Sequence, residues 1–226
     1  MKLPILILGY ERSGTTLLRR LISMHPNMPF DIVHEQSKNL FASKTKDEAI
    51  KRLTFPSKQK GVYTGGVSSL EAGQKIPYIN ARTAQKSIDK FNSFFGKFHI
   101  IHIVRDPIGA INSQVKTFKK NEDKCIKQYF NSVPKVTQYL KSFDNVKTIS
   151  FENLLNCPLE QLKSIYNWIG DFEQNDEFLN KVITTKEPWD YQGRMLPGLR
   201  YFSSIRLVKQ NLVIKNKYVR KINSLK

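Results

Sequence analysis

The stretch that decides the fold is Leu3-Pro4-Ile5-Leu6-Ile7-Leu8-Gly9-Tyr10-Glu11-Arg12-Ser13-Gly14-Thr15-Thr16. Its first half is a continuous apolar run of strand length, and a strand apolar on both faces belongs in the middle of a sheet covered on both sides. The run stops at Gly9. Beyond the turn, residues 15–25 carry Leu17, Leu18, Leu21 and Ile22 at helical spacing, and His25-Pro26-Asn27 closes the helix. Strand, tight turn and helix are the opening of an α/β domain.

The same alternation returns downstream. His99-Ile100-Ile101-His102-Ile103-Val104 reads as a second buried strand, and Asp106-Pro107 starts a helix with Asp at the N-cap and Pro at the first helical position. A helix over about residues 123–142, a strand over 146–150 and a helix over 152–169, ended by Gly170, complete the series. The pattern implies a three-layer α/β/α domain with a mostly parallel sheet, whose ligands sit beyond the carboxyl ends of the strands. Between the two motifs, residues 37–53 read as a helix, 61–73 as a loop holding Gly65-Gly66, and 81–95 as an amphipathic helix with Ile88, Phe91 and Phe95 inward.

With 226 residues, no internal repeat and no low-complexity linker, the chain reads as one domain over 1–226, with a motif-bearing core in 1–170 and an acid-free basic segment at 206–226. A hydrophobic content of 40% excludes a disordered chain. Lys+Arg 37 against Asp+Glu 19 leaves +18, which favours anionic partners. Cys125 and Cys157 form neither a disulfide framework nor a metal-binding spacing, so no metal is expected. No apolar stretch approaches the roughly 18–20 residues of a membrane span. The run at residues 3–8 is too brief for a signal-peptide core, so a complete chain of this kind is expected in the cytoplasm.

The first turn carries chemistry. Gly9 and Gly14 match the G-x-x-x-x-G spacing of a loop that wraps an anion with backbone N–H groups at a helix N-terminus. Thr15, however, stands where a Walker A loop places the lysine that neutralises β- and γ-phosphates, which argues against ATP or GTP hydrolysis. Arg12 and the hydroxyls of Ser13, Thr15 and Thr16 instead suit a single phosphate and its leaving group. In the second motif, Arg105 ends a buried strand, where its fork of donors can grip a phosphate in the ligand crevice. Gly109, four residues before Ser113 on the same helix face, leaves that hydroxyl clear.

Tyr10-Glu11-Arg12-Ser13-Gly14-Thr15-Thr16-Leu17-Leu18, with Leu21 and His25-Pro26 after it, resembles the 5′-phosphosulfate loop of sulfotransferases that use 3′-phosphoadenosine-5′-phosphosulfate (PAPS). The R-S-G-T-T-L-L form is that of Golgi carbohydrate, protein-tyrosine and many bacterial members. Arg105 and Ser113 stand at the spacing of the family's 3′-phosphate-binding arginine and serine. Residues 149–158 resemble its strand-to-helix segment Y-E-D-L-x-x-x-P, with Phe151 in place of the tyrosine as an aromatic surface near the adenine and Glu152 capping the helix. Gln192-Gly193-Arg194 is a faint echo of its C-terminal cofactor-closing loop, and Lys75-Ile76-Pro77 resembles its K-x-P segment near the acceptor.

The resemblance implies a P-loop-like sulfotransferase fold and an enzyme that moves a sulfuryl group in line from PAPS to an acceptor hydroxyl, without a metal. It puts Arg12 at the leaving-group cation and makes Ser13, Gly14, Thr15 and Thr16 the cradle of the 5′-phosphate. Glu35 stands near the interval of the family's glutamate base, and His34 is a second candidate; adjacent residues of an extended chain point opposite ways, so at most one faces the site. The acceptor stays open between sugar, lipid, peptide tyrosine and small metabolite. Two other classes remain: a basic nucleic-acid or anionic-polymer binding protein, which the charge favours but which needs lysines gathered on one face, and a P-loop small-molecule kinase, which the missing lysine disfavours.

Overall fold

A computed structural model describes residues 3–23, 33–34, 41–53, 73–170 and 175–184. Five strands, β1 (Ile5–Tyr10), β2 (Val33–His34), β3 (Gly73–Tyr78), β4 (His99–Val104) and β5 (Val146–Ser150), form one sheet in the order β2-β3-β1-β4-β5. Every pairing is parallel. The helices are α1 (Thr15–Ser23), α2 (Lys46–Leu53), α3 (Ala81–Phe95), α4 (Pro107–Phe118), α5 (Glu122–Leu140), α6 (Phe151–Asn156), α7 (Pro158–Ile169) and α8 (Asp176–Thr184).

The apolar runs explain the layers. On β1, Ile5 and Ile7 face one side, with Ile101 and Ile103 of β4, and meet α1, α6, α7 and α8 through Leu18, Leu154, Ile165 and Leu179. Leu6, Leu8 and Tyr10 face the other side and meet α3, α4 and α5 through Ile88, Phe91, Ala110 and Val136. All six β1 residues are buried, as a central strand sealed on both faces requires. Each fully buried Leu or Ile contributes about 1.5–3 kcal/mol, so β1 is the structural axis on which the turn after Gly9 is mounted.

Three local readings change. The loop expected over 61–73 gives way to a strand at Gly73, and the segment around Lys75-Ile76-Pro77, given no element by the sequence, lies in it: β3 pairs with β1 over its whole length, Gly9 opposite Pro77. A proline is costly in a doubly paired strand, but among the described residues β2 pairs only with Gln74 and Lys75, so Pro77 has a ladder on one side alone. The helix expected over 152–169 is two helices. Cys157 N–H closes α6 on the Asn153 carbonyl, and Pro158 takes the first position of α7, where its missing N–H is harmless. The helix expected over 37–53 is interrupted: Phe41 and Ala42 are helical, residues 43–45 are not, and α2 runs from Lys46, with Thr45 Oγ1 accepting the Glu48 N–H at 3.2 Å.

Elsewhere the expected signals hold. Asp106 caps α4, its Oδ2 accepting the Gly109 N–H at 3.0 Å, with Pro107 at the first helical position. Phe91 and Ile88 of α3 are buried and Phe95 packs beside them. His99 and His102 lie in the sheet, both buried.

Candidate active site

The turn after β1 reverses the chain in four residues, and its backbone is unusual. Arg12 holds φ 74° and Gly14 φ 93°, the left-handed region. The Arg12 conformation is uncommon for a residue with a Cβ and is retained where surrounding contacts hold it. Glu11 N–H binds the Tyr78 carbonyl at 2.9 Å and Ser13 N–H binds the Tyr10 carbonyl at 2.9 Å, which fix the two sides of the turn. A Cβ on Gly9 would stand 2.6 Å from Thr15 Cγ2 and 2.7 Å from Ile103 Cγ2; one on Gly14 would run into the Phe151 ring. Both glycines are therefore required by close approach, and Gly14 by its φ as well.

The second motif closes on the first. Arg105, at the end of β4, sends Nη1 to the Arg12 carbonyl at 3.0 Å. Its guanidinium lies 4.4 Å from the centre of the Phe151 ring, a cation–π contact. Burial pushes the Arg105 pKa down; Glu152 opposes this and Arg12 adds to it. Arg12 itself is exposed, and its Nε donates to Ser113 Oγ at 3.0 Å while its guanidinium sits 5.6 Å from the Phe118 ring centre. Arg12, Arg105 and Ser113, about a hundred residues apart in sequence, thus form one connected cationic cluster at the carboxyl edge of the sheet.

The hydroxyls sort by depth. Ser13 is fully buried and its Oγ has no hydrogen-bond partner, an orphaned polar atom at the base of the turn. Thr15 is buried and Thr16 exposed. Ser113 is half-buried on α4.

Three roles differ from the sequence reading. Gly109 serves Arg105 rather than Ser113: a Cβ there would lie 2.9 Å from Arg105 Nε, so the missing side chain is the space the guanidinium occupies. Phe151 is buried between Gly14 and Arg105, its ring committed to the protein rather than offered as an open surface. Glu152 braces two loops, Oε1 accepting the Asp106 N–H and Oε2 the Ser150 hydroxyl, each at 3.0 Å.

Other members of the cluster escaped the sequence. Gln114, fully buried, donates from Nε2 to the Glu11 carbonyl and carboxylate, each at 3.3 Å, and Lys120 forms an ion pair with the same carboxylate. Tyr129 Oη donates to the Arg105 carbonyl at 2.5 Å. The Tyr10 hydroxyl donates to Gln114 Oε1 at 3.5 Å, and burial pushes its pKa up to about 12. Gln114 adjoins Ser113, and Glu11 adjoins Arg12; that adjacency was the available signal, but only packing shows that the pairs meet.

Of the candidate bases, His34 is on β2 opposite Lys75, its side chain outside the described set, and Glu35 lies outside the described residues. So do Gln192-Gly193-Arg194 and residues 206–226. His102 is buried against Tyr78, Nε2 lying 2.9 Å from the phenol oxygen, and burial lowers its pKa to about 4. Among the described residues no cluster of three His, Cys, Asp or Glu could hold a metal, and no helix is long and apolar enough to cross a membrane.

The sulfotransferase family matches residues 4–173, a span containing every element of this cluster. The chain belongs to the sulfotransferase family. No curated protein matches it. This sulfotransferase is similar in structure to the sulfotransferase domain of the curacin biosynthetic pathway (TM-score 0.56, 18% identity, covering 81% of this chain and 78% of that one). It is also similar to the sulfotransferase domain of the Synechococcus PCC 7002 olefin synthase (TM-score 0.57, 15% identity, 100% and 96%). A mouse sulfotransferase complexed with PAP matches at TM-score 0.51 and 16% identity, over 80% of this chain and 64% of that one. At these identities the likeness is one of fold: an α/β P-loop-like sulfotransferase fold.

Proposed function

We propose that the protein transfers a sulfuryl group from PAPS to a hydroxyl of its acceptor. The observation that carries this reading is the single cluster of Arg12, Arg105 and Ser113 around a glycine turn at a helix N-terminus. It gathers two guanidinium groups and a hydroxyl beside the turn, and a nucleotide phosphorylated on both sides of its ribose needs more than one such donor. The residues present fit such a donor: Ser13 Oγ is buried without a partner, and Arg105 is held half-buried by Phe151 with its guanidinium beside the turn. That a related mouse enzyme is complexed with PAP supports the same donor.

Bound there, PAPS supplies an activated sulfuryl group. The amides and hydroxyls of Ser13, Gly14, Thr15 and Thr16 hold the 5′-phosphate at the positive end of α1. Arg105 and Ser113 hold the 3′-phosphate. Arg12, exposed beside the loop, stabilises the charge that collects on the departing phosphate. Glu35 removes the acceptor proton, with His34 the second candidate for that step. Thr15 in place of a lysine weighs against a kinase.

The test is calorimetry with 3′-phosphoadenosine-5′-phosphate (PAP) against ADP. PAP binds more tightly, and Arg105→Ala removes that preference by about 2–3 kcal/mol, the worth of a charge-assisted phosphate contact. Equal affinity for the two nucleotides overturns the reading.

A further inference from the structure

A cavity of about 490 Å³ opens at the carboxyl edge of the sheet, between the segment leading into α3 and the first half of α5. We propose that it is the acceptor pocket and that it takes a polyhydroxylated acceptor carrying an anionic group, of the acidic-sugar class; this rests on the sulfuryl-transfer reading above.

Position comes first. Ile79, in one wall, follows Tyr78, whose carbonyl accepts the Glu11 N–H; Asn121, in the other, follows Lys120, whose ammonium pairs with the Glu11 carboxylate. Both walls therefore hang on the residue next to Arg12. Ser132 Oγ donates to the Ile79 carbonyl at 3.2 Å and ties α5 to the opposite wall.

The lining chemistry selects the class. Asn80 Oδ1 accepts both the Thr83 N–H at 2.8 Å and the Thr83 hydroxyl at 2.9 Å, which leaves the NH₂ donor to a ligand, and Asn121, whose Oδ1 accepts the Lys124 N–H at 3.0 Å, offers its NH₂ as well. Gln128 and Asn131 add amides that both donate and accept, and Lys124 and Lys127 add ammonium donors. A surface this rich in donors matches a ligand dense in hydroxyl and carboxylate, phosphate or sulfate oxygens. Ile79 is the one apolar side chain among the described lining residues, and no aromatic ring is among them, so these residues favour hydroxyls over a phenol ring. Two lysines against Asp123 leave the lining positive.

Tetragalacturonate, uncharged maltotetraose and p-nitrophenol are titrated into the full chain by calorimetry, with and without saturating PAP. Tetragalacturonate binds, maltotetraose binds more weakly, and the double variant Lys124→Ala/Lys127→Ala raises the tetragalacturonate Kd about tenfold, the loss of two screened charge-assisted contacts. PAP affinity and the melting temperature of that variant are unchanged. Failure of tetragalacturonate to bind, retention of its affinity in the double variant, or its displacement by p-nitrophenol overturns the proposal. The titrations without PAP read the cavity by themselves, so loss of PAP binding with intact tetragalacturonate binding sinks the donor reading instead.

Discussion

Replacing Gly109 by alanine should separate nucleotide binding from folding. The new Cβ would stand 2.9 Å from Arg105 Nε, 3.3 Å from Nη2 and 3.4 Å from Cζ. The neighbour that must give is the end of a flexible side chain, so the guanidinium swings away from the Phe151 ring and the Arg12 carbonyl. That forfeits a cation–π contact of about 0.5–2 kcal/mol and a charged hydrogen bond of about 1.5–3 kcal/mol. Within α4 the alanine returns up to about 1 kcal/mol through helix propensity, and the displaced guanidinium regains water. Stability should therefore fall by about 1–4 kcal/mol, less what rehydration of the guanidinium returns, while the 3′-phosphate loses its main grip. PAP affinity should drop about 30-fold, the equivalent of roughly 2 kcal/mol. Paired thermal melts and PAP titrations check both numbers. A variant that binds PAP as tightly as the parent would falsify the account of Gly109 and, with it, the placement of Arg105.

Gly14→Ala meets both a positive φ and the buried Phe151 ring, so a urea melt should show a loss of about 2–4 kcal/mol; a neutral result would mean that the turn can relax. Glu35→Gln should lower turnover about 10²- to 10⁴-fold and leave PAP affinity intact, and a fully active variant clears Glu35 of the proton transfer. His102 is buried neutral, its pKa depressed from 6.5 to about 4. The unfolded chain therefore binds the extra proton between those values, and stability is complete above pH 6.5 and falls by about 1.4 kcal/mol per unit as the pH drops toward 4. His102→Gln, which keeps an acceptor for the Tyr78 hydroxyl, should flatten that part of the pH–stability curve, and an unchanged slope assigns the effect to other groups, His99 among them.

How much of this was legible varied with how local the physics is. The runs at residues 3–8 and 99–104 announced buried strands because nearly every side chain in them is apolar, and Asp106-Pro107 announced a helix start because a cap needs only its own next three residues. β3 was hidden. Gln74, Lys75 and Pro77 interrupt its apolar pattern, and the segment is a strand because β1 lies beside it, a partner more than sixty residues away. Cys157-Pro158 was legible in principle, since proline at that place ends one helix and starts another. Within the site, Arg12, Ser13, Arg105 and Ser113 were picked out by spacing and by family resemblance; Arg12, Arg105 and Ser113 meet at the sheet edge, and Ser13 lies buried in the same turn. Gln114, Lys120 and Tyr129 were not, because an amide, an ammonium and a phenol on amphipathic helices look like any others until packing aims them at one carboxylate and one carbonyl.

Read alone, the chain determined that a strand apolar on both faces would sit inside a parallel sheet, and that a glycine turn with an arginine but no Walker lysine would follow it. Those are properties of short segments, set by side-chain polarity and backbone freedom. Tertiary structure alone decided that Arg105 lies in the space Gly109 leaves, that its guanidinium is held by the Phe151 ring, and that both arginines and Ser113 share one cluster. Those facts depend on distances between elements far apart in sequence, which close packing fixes only when every layer is in place.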